Sequence, residues 1–161
     1  MDIEFKTADL YDANAGAVQV AAPGLRHFGG RRRFAGRICT VKCFEDNQAV
    51  KDQVEEPGEG RVIVVDGGGS LRAALVGDNV ARRALERGYA GFVVNGCVRD
   101  TADCAGMDIG LLALAANPTR PQQKSPGERG IPVAFAWVKF TPGDWLYADR
   151  DGVLVCQHKL P

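Results

Sequence analysis

The chain has 161 residues, 45% apolar and 25% charged, the composition of an ordinary globular protein with one hydrophobic core. Twenty basic residues balance twenty acidic ones, which excludes the basic excess of a general nucleic-acid binder. No apolar run reaches the roughly 18 residues of a membrane span, and the acids of MDIEFKTADL stand where a secretory leader would be basic and then apolar, so the expected place is the cytoplasm, away from membranes.

The first predicted element is a short helix within TADLYDANAGAVQVA, with Thr7 or Asp9 as its cap. HFGGRRRFAGRICTVKCF follows, with two turn glycines, a basic run at Arg31, Arg32 and Arg33 that reads as a solvated face, and a β-rich run over 37–44. On a strand, Cys39 and Cys43 share one side with Val41. They read as structural thiols, because a zinc site needs a second pair of ligands and the only histidines are His27 and His158. The same scarcity argues against a histidine-based triad, and an odd count of five scattered cysteines is no disulfide framework.

EDNQAVKDQVEE reads as a short amphipathic helix with Val50 and Val54 on one face, ended by PGEG. Four β-branched residues over 62–65 predict a strand buried on both faces. After a glycine-rich turn, a helix is predicted over 78–87. Its inner face is Val80 with Ala84 and Ala81 with Leu85, and Gly88 caps its end. FVVNG is a second buried strand, so the middle of the chain is a βαβ unit with parallel strands and a right-handed crossover. Ligands of such sheets sit beyond the carboxyl ends of the strands. A short apolar strand, a polar loop rich in proline and lysine, and three strands joined by turns at 141–144 and 149–152 complete the chain. The expectation is a single α/β domain over 1–161 with a β-rich C-terminal third and no linker.

Three stretches can carry chemistry. VDGGGS lacks the lysine of a P-loop and the spacing of a dinucleotide fingerprint, and reads as a tight turn ahead of a phosphate cradle. In LVGDNVA, Asp78 can cap the helix; alternatively, the N–H groups of Asn79 and Val80 can receive an anion, with Gly77 allowing close approach. Arg99 and Asp100 end the second buried strand. They can neutralise each other, or arginine can grip a carboxylate while aspartate ligates a hard cation such as magnesium, which keeps most of its waters.

The string FEDN…VVDGGGSLRAALVGDNVA…GYAGFVVNGCVRD…MDIG, with the later TPGDWLYADRDGVLV, resembles the RraA-like family over about residues 7–155. This family joins regulators of ribonuclease E activity to class II 4-hydroxy-4-methyl-2-oxoglutarate aldolases. The resemblance implies a compact α/β/β swivelling-type domain, a homotrimer or a pair of trimers, and a site near a subunit interface. It implies that Gly77, Asp78, Asn79 and Val80 bind a pyruvate moiety through backbone amides. It further implies that Arg99 holds the substrate and that Asp100 binds Mg²⁺ or Mn²⁺, both serving catalysis. The implied reaction cleaves 4-hydroxy-2-oxoacids to pyruvate and decarboxylates oxaloacetate, the metal polarising the 2-keto oxygen.

A Schiff-base route would need an apolar pocket around a lysine, whereas Lys42 and Lys139 sit at alternating strand positions facing water. The chain ends at CQHKLP, short of the C-terminal extension with which longer aldolases lend an acid to a neighbour's site. The implied alternative is a protein-binding regulator that inhibits ribonuclease E without chemistry and without binding RNA itself. A menaquinone methyltransferase label, attached to some relatives, finds no glycine-rich cofactor loop here.

Overall fold

The computed structural model describes residues 4–161; the first three residues of the acidic N-terminal segment, Asp2 among them, lie outside the described residues. In chain order the elements are α1 (Thr7–Asn14), β1 (Gln19–Val20), β2 (Arg26–His27), β3 (Phe34–Lys42), α2 (Gln48–Val54), β4 (Val62–Asp66), β5 (Ala74–Val76), α3 (Asp78–Glu86), β6 (Gly91–Val98), α4 (Thr101–Ala105), β7 (Gly110–Ala116), β8 (Glu128–Arg129), β9 (Val133–Phe135), β10 (Val138–Phe140), β11 (Trp145–Ala148) and β12 (Val153–Cys156). Among the described residues no helix is long and apolar enough to cross a membrane.

The parallel heart is β3-β4-β6-β7, and β5 pairs alongside the last residues of β6. The nine residues of β3 serve two neighbours. Phe34 to Arg37 pair antiparallel with β11, and Ile38 to Lys42 pair parallel with β4. One strand thus carries the sheet around into a second β layer of β11, β12 and β1.

This curl explains the run of four β-branched residues. Ile63 and Val65 face one core with the helix residues Val50, Val54, Ala81 and Ala84. Val62 and Val64 face another with Val138, Phe140, Leu146 and Val155. All four strand residues are fully buried, each worth about 1.5–3 kcal/mol of apolar burial. The result is an α/β fold in three layers, with helices, parallel sheet and β layer in that order.

Two local expectations change. Neither Thr7 nor Asp9 caps α1, whose N-cap position is Lys6 with no side-chain bond. Asp149, from the other end of the chain, does that work. Its Oδ2 accepts the Thr7 N–H at 2.7 Å, and its Oδ1 accepts the Thr7 hydroxyl at 2.7 Å. Leu85 is not on the inner face of α3 but exposed, because Ala81 and Ala84 make the seam and Val80 packs beside them. Gly88 does end this helix. At φ 88° it donates to the Leu85 carbonyl while Tyr89 donates to that of Ala84, the paired bonds of a Schellman ending.

Candidate active site

The crossover from β4 through β5 and α3 to β6 brings the start of α3 beside the end of β6. The Arg99 N–H donates to the Val76 carbonyl at 2.9 Å, which fixes the residues after β6 against those before α3. Asp100 then takes a left-handed conformation, φ 55° and ψ 40°, a turn that aspartate tolerates better than most side chains. The turn swings its carboxylate back over Gly77, and Oδ2 accepts the Asp78 N–H at 3.1 Å. A Cβ on Gly77 would stand 2.6 Å from that oxygen and 3.3 Å from Cγ of Arg99, so the absence of a side chain is what lets the two segments close.

Gly77, Asp78, Arg99 and Asp100 therefore meet at one point. The Asn79 N–H is engaged by Oδ1 of its neighbour Asp78 at 2.8 Å. The helix-start N–H groups of Asp78 and Asn79 thus hold protein carboxylates, those of Asp100 and Asp78. Val80 packs inward beneath. The Asp78 N–H is the first cause that holds Asp100 below the ordinary aspartate range, outweighing desolvation, with further help from the Asp78 side chain and the Arg99 charge.

Arg99 lies with Nε 3.9 Å from Asp100 Oδ2, and both side chains keep about a third of their surface exposed, 32% and 37%. A pair at that distance and exposure adds little stability. The arginine fork is not consumed by it: Nη1 only reaches the Pro118 carbonyl at 3.4 Å. Asp78 has Arg82 at 3.8 Å on the solvent side. Beneath, Cys104 donates to the Arg99 carbonyl at 3.7 Å, and burial pushes its thiol up to about 11, so it serves as packing and not as a nucleophile.

The side chains of Asp78 and Asp100 lie within reach of each other. Among the described residues no group of three or more metal-ligating side chains forms. The donor set fits a hard divalent ion that retains most of its waters and does not fit a site built wholly of protein ligands.

VDGGGS is a turn, as its sequence reads. Gly67 and Gly69 donate to the Asn95 carbonyl of β6 and Gly68 to Oδ1 of Asp66, which leaves these amides already engaged. Lys42 and Lys139 are exposed, without the apolar pocket that a Schiff-base lysine needs. A cleft of about 700 Å³ lies elsewhere, lined by Lys6, Arg32, Arg33, Asp149 and Arg150 among others.

One element of the site escaped the sequence. Residues 117–127, which read as a polar loop, form a strap across the carboxyl edge of the sheet. Asn117 donates from its backbone to Val98 and from Nδ2 to Leu71, and Ala74 donates to Thr119. Gln122 donates to the Glu45 carbonyl, Gln123 to Oδ1 of Asn47 and Ser125 to Oδ2 of Asp46. The available signal was Asn-Pro-Thr, in which the Asn117 carboxamide accepts the Thr119 N–H at 2.9 Å, the Asx turn expected of asparagine two residues ahead.

Residues 7–155 match the family model described as RraA-like: Aldolase/RraA. A protein of Alkalilimnicola ehrlichii, provisionally named 4-hydroxy-4-methyl-2-oxoglutarate aldolase, is 52% identical over 154 residues, covering 96% of each chain. A solved structure described as the RNA-processing inhibitor RraA from Thermus thermophilis is 46% identical with a TM-score of 0.94, covering 99% of this chain and 96% of that one. Another, described as an S-adenosylmethionine: 2-dimethylmenaquinone methyltransferase from Geobacillus kaustophilus, is 42% identical with a TM-score of 0.95, covering 97% of each.

Proposed function

The chain belongs to the RraA-like, Aldolase/RraA family, and from that membership we propose that it is a divalent-metal-dependent carbon–carbon lyase. It would cleave 4-hydroxy-4-methyl-2-oxoglutarate and related 2-oxoacids to pyruvate, and decarboxylate oxaloacetate. The aldolase half of this reading is supported by the names of relatives about half identical over nearly the whole chain. The observation that carries the rest is the meeting of Arg99, Asp100 and the α3 start around Gly77.

Asp100, with Asp78 beside it, would hold Mg²⁺ or Mn²⁺ through carboxylate oxygens. When bound, the metal is a Lewis acid that draws off the negative charge developing on the 2-keto oxygen. Arg99 grips the C1 carboxylate with its open fork. Held at that end, the substrate presents its C3–C4 bond in a fixed orientation. As that bond breaks, its electron pair becomes the C2–C3 double bond of an enolate whose charge rests on the 2-keto oxygen. The departing half leaves as a second 2-oxoacid, its 4-hydroxyl proton passing to solvent, or as CO₂ in the case of oxaloacetate, and a proton taken from solvent at C3 completes pyruvate. The Asp78 N–H fixes the rotamer of Asp100, and Gly77 leaves room for it.

The working assembly is a homotrimer or a pair of trimers, with the open side of the site facing a neighbouring subunit. The five cysteines are all free and buried, which supports work in the cytoplasm.

The test is pyruvate release from 4-hydroxy-4-methyl-2-oxoglutarate and from oxaloacetate, with added Mg²⁺ or Mn²⁺ and with chelator. Asp100→Ala and Arg99→Ala are each expected to lower kcat/KM at least about 100-fold. Metal-independent turnover, or activity that survives both substitutions, would sink the reading.

A second reading is supported by the likeness to the RNA-processing inhibitor of Thermus thermophilis: a protein-binding regulator of ribonuclease E, acting by contact with the enzyme and not by binding RNA. The two are compatible, since a surface can inhibit while the pocket turns over. Unaltered ribonuclease E cleavage in the presence of a molar excess of the protein counts against it. The methyltransferase name of the Geobacillus structure has no counterpart in the glycine-rich turn, whose amides are already engaged.

A further inference from the structure

A second cleft, of about 400 Å³, lies between β2, the β11–β12 turn and α4; His27, Arg32, Thr101 and Arg150 line it, and none of its lining residues is acidic. We propose that it binds a tetrahedral dianion of the phosphate or sulfate class, held by Arg32 and Arg150 with Thr101 and His27 as further partners. Neither Arg99 nor Asp100 lines this cleft, and the inference does not rest on the lyase reading.

Backbone bonds fix its walls. β2 pairs with β7 through Arg26 and His27. Beyond it, the N–H groups of Phe28, Gly30 and Arg31 donate to the carbonyls of Leu111, Met107 and Ile109. His27 joins the β11–β12 turn to this wall, its Nε2 lying 2.8 Å from the Asp149 carbonyl. A carbonyl can only accept, so Nε2 carries the ring proton and Nδ1 of the neutral ring is a bare acceptor. That Nδ1 is buried and has no hydrogen-bond partner among the described residues, an unmet polar atom of the kind that calls for an explanation.

The charges around the ring are uncompensated. Arg32 and Arg150 are exposed, and among the described residues neither has a carboxylate within ion-pair reach. The nearby acids are engaged elsewhere. Asp108 takes Arg31 in a two-pronged pair at 2.9 and 3.0 Å, Asp149 accepts from Thr7 and Asp151, and Asp151 lines the neighbouring cleft and not this one. Burial is the first cause that holds His27 below the ordinary histidine range, and the charges of Arg32 and Arg150 add to it. Asp149 acts the other way, through its carbonyl and its carboxylate. Both guanidiniums are therefore close enough to the imidazole to oppose its protonation. A dianion between them reverses that field, so that Nδ1 gains a proton and becomes a donor. Two positive charges call for two negative ones, and donors on separate segments suit the oxygens of a tetrahedral ion better than the flat pair of a carboxylate.

Calorimetric titration of the full chain with sulfate and with phosphate is expected to show a single saturable site per chain. Methyl phosphate bound as tightly as phosphate assigns the site to a phosphorylated compound, and its exclusion assigns it to the free ion; both results support the site. Arg32→Ala and Arg150→Ala are each expected to weaken sulfate binding about 10- to 100-fold, the loss of one charge-assisted hydrogen-bonding partner. Arg33→Ala removes the same charge from a residue that does not line this cleft, and should change the affinity less than about 2-fold in ordinary salt. The chain has only two histidines, so proton NMR separates His27 from His158. Saturating sulfate should raise the His27 titration midpoint and leave that of His158 in place. Because the bound anion favours the charged ring, affinity is highest below the free His27 midpoint and falls as pH rises through the bound one. No saturable binding, equal losses in all three arginine variants, or an unmoved His27 midpoint overturns the proposal. So does an Arg32→Ala or Arg150→Ala chain that binds sulfate normally and changes its oligomeric mass, which would make these arginines a subunit contact.

Discussion

At the scale of single residues, the site turns on a glycine and a left-handed aspartate. Gly77 has φ −127°, extended backbone that any residue adopts, so its role is space and not conformational freedom. A methyl group there would stand 2.6 Å from Oδ2 of Asp100, and the carboxylate would have to leave the Asp78 N–H. Gly77→Ala is therefore expected to keep the fold, with unfolding free energy changed by no more than about 1 kcal/mol. It should nonetheless lose about 100-fold in kcat/KM, since a displacement of about 1 Å at a reacting centre can cost that much. Urea unfolding and pyruvate release measured on the same preparation check it; equal activity in the variant would mean that the closure over Gly77 has no catalytic use. The sequence gives Gly77, Asp78, Arg99 and Asp100 as candidates because each residue type advertises its chemistry. It does not reveal that Asp100 closes over the helix start, because that depends on one backbone angle after β6.

At the scale of elements, local signals were legible and distant ones were not. The run over 62–65, the Schellman ending at Gly88 and the glycine turn all follow from neighbours in sequence, and the structure has each of them. The cap of α1 comes from Asp149, 142 positions away, and the strap is anchored at 45–47, 71, 74 and 98; no periodicity within a window contains such pairings. Asp149 accepts from the Thr7 N–H and hydroxyl and from the Asp151 N–H. Desolvation is the largest single influence on its carboxyl and raises it, but the several hydrogen bonds together hold it below the ordinary aspartate range. Asp149→Ala should cost about 1–3 kcal/mol of stability at neutral pH, the range for a lost cap and a lost charged hydrogen-bond acceptor. A carboxyl depressed on folding stabilises above its unfolded value, near pH 4, and loses that contribution as pH falls through the folded one. The gap in denaturation midpoint between wild type and variant should therefore be full at pH 7 and shrink only below about pH 4. A gap independent of pH down to 3 would show that the ionised carboxylate is not what ties α1 to the β layer.

At the scale of the molecule, the question is what closes the site. Ligand sites usually bury about 70–90% of a small ligand's surface, whereas here Asn79 and Asp100 are exposed and Arg99 is about a third exposed. The strap provides one wall; a substrate held by Arg99 would otherwise face water. Elsewhere the chain presents apolar surface of the kind assemblies cover. Trp137 is 84% exposed at the tip of the β9–β10 hairpin, where Ala136 and Trp137 both take positive φ. Phe135 pairs with Val138, and a two-residue hairpin turn takes positive φ at both of its loop residues, so the turn itself presents the indole to solvent. If a second copy supplies the missing wall, assembly and activity are linked by mass action. Light scattering should give three or six times the 17.2 kDa of one chain at micromolar concentration. On dilution, specific activity should fall in step with the loss of that mass, and Trp137→Ala should shift both curves to higher concentration by the same factor. A monomeric fraction with full specific activity would mean that one chain closes its own site, with the strap moving to cover the substrate in place of a neighbour.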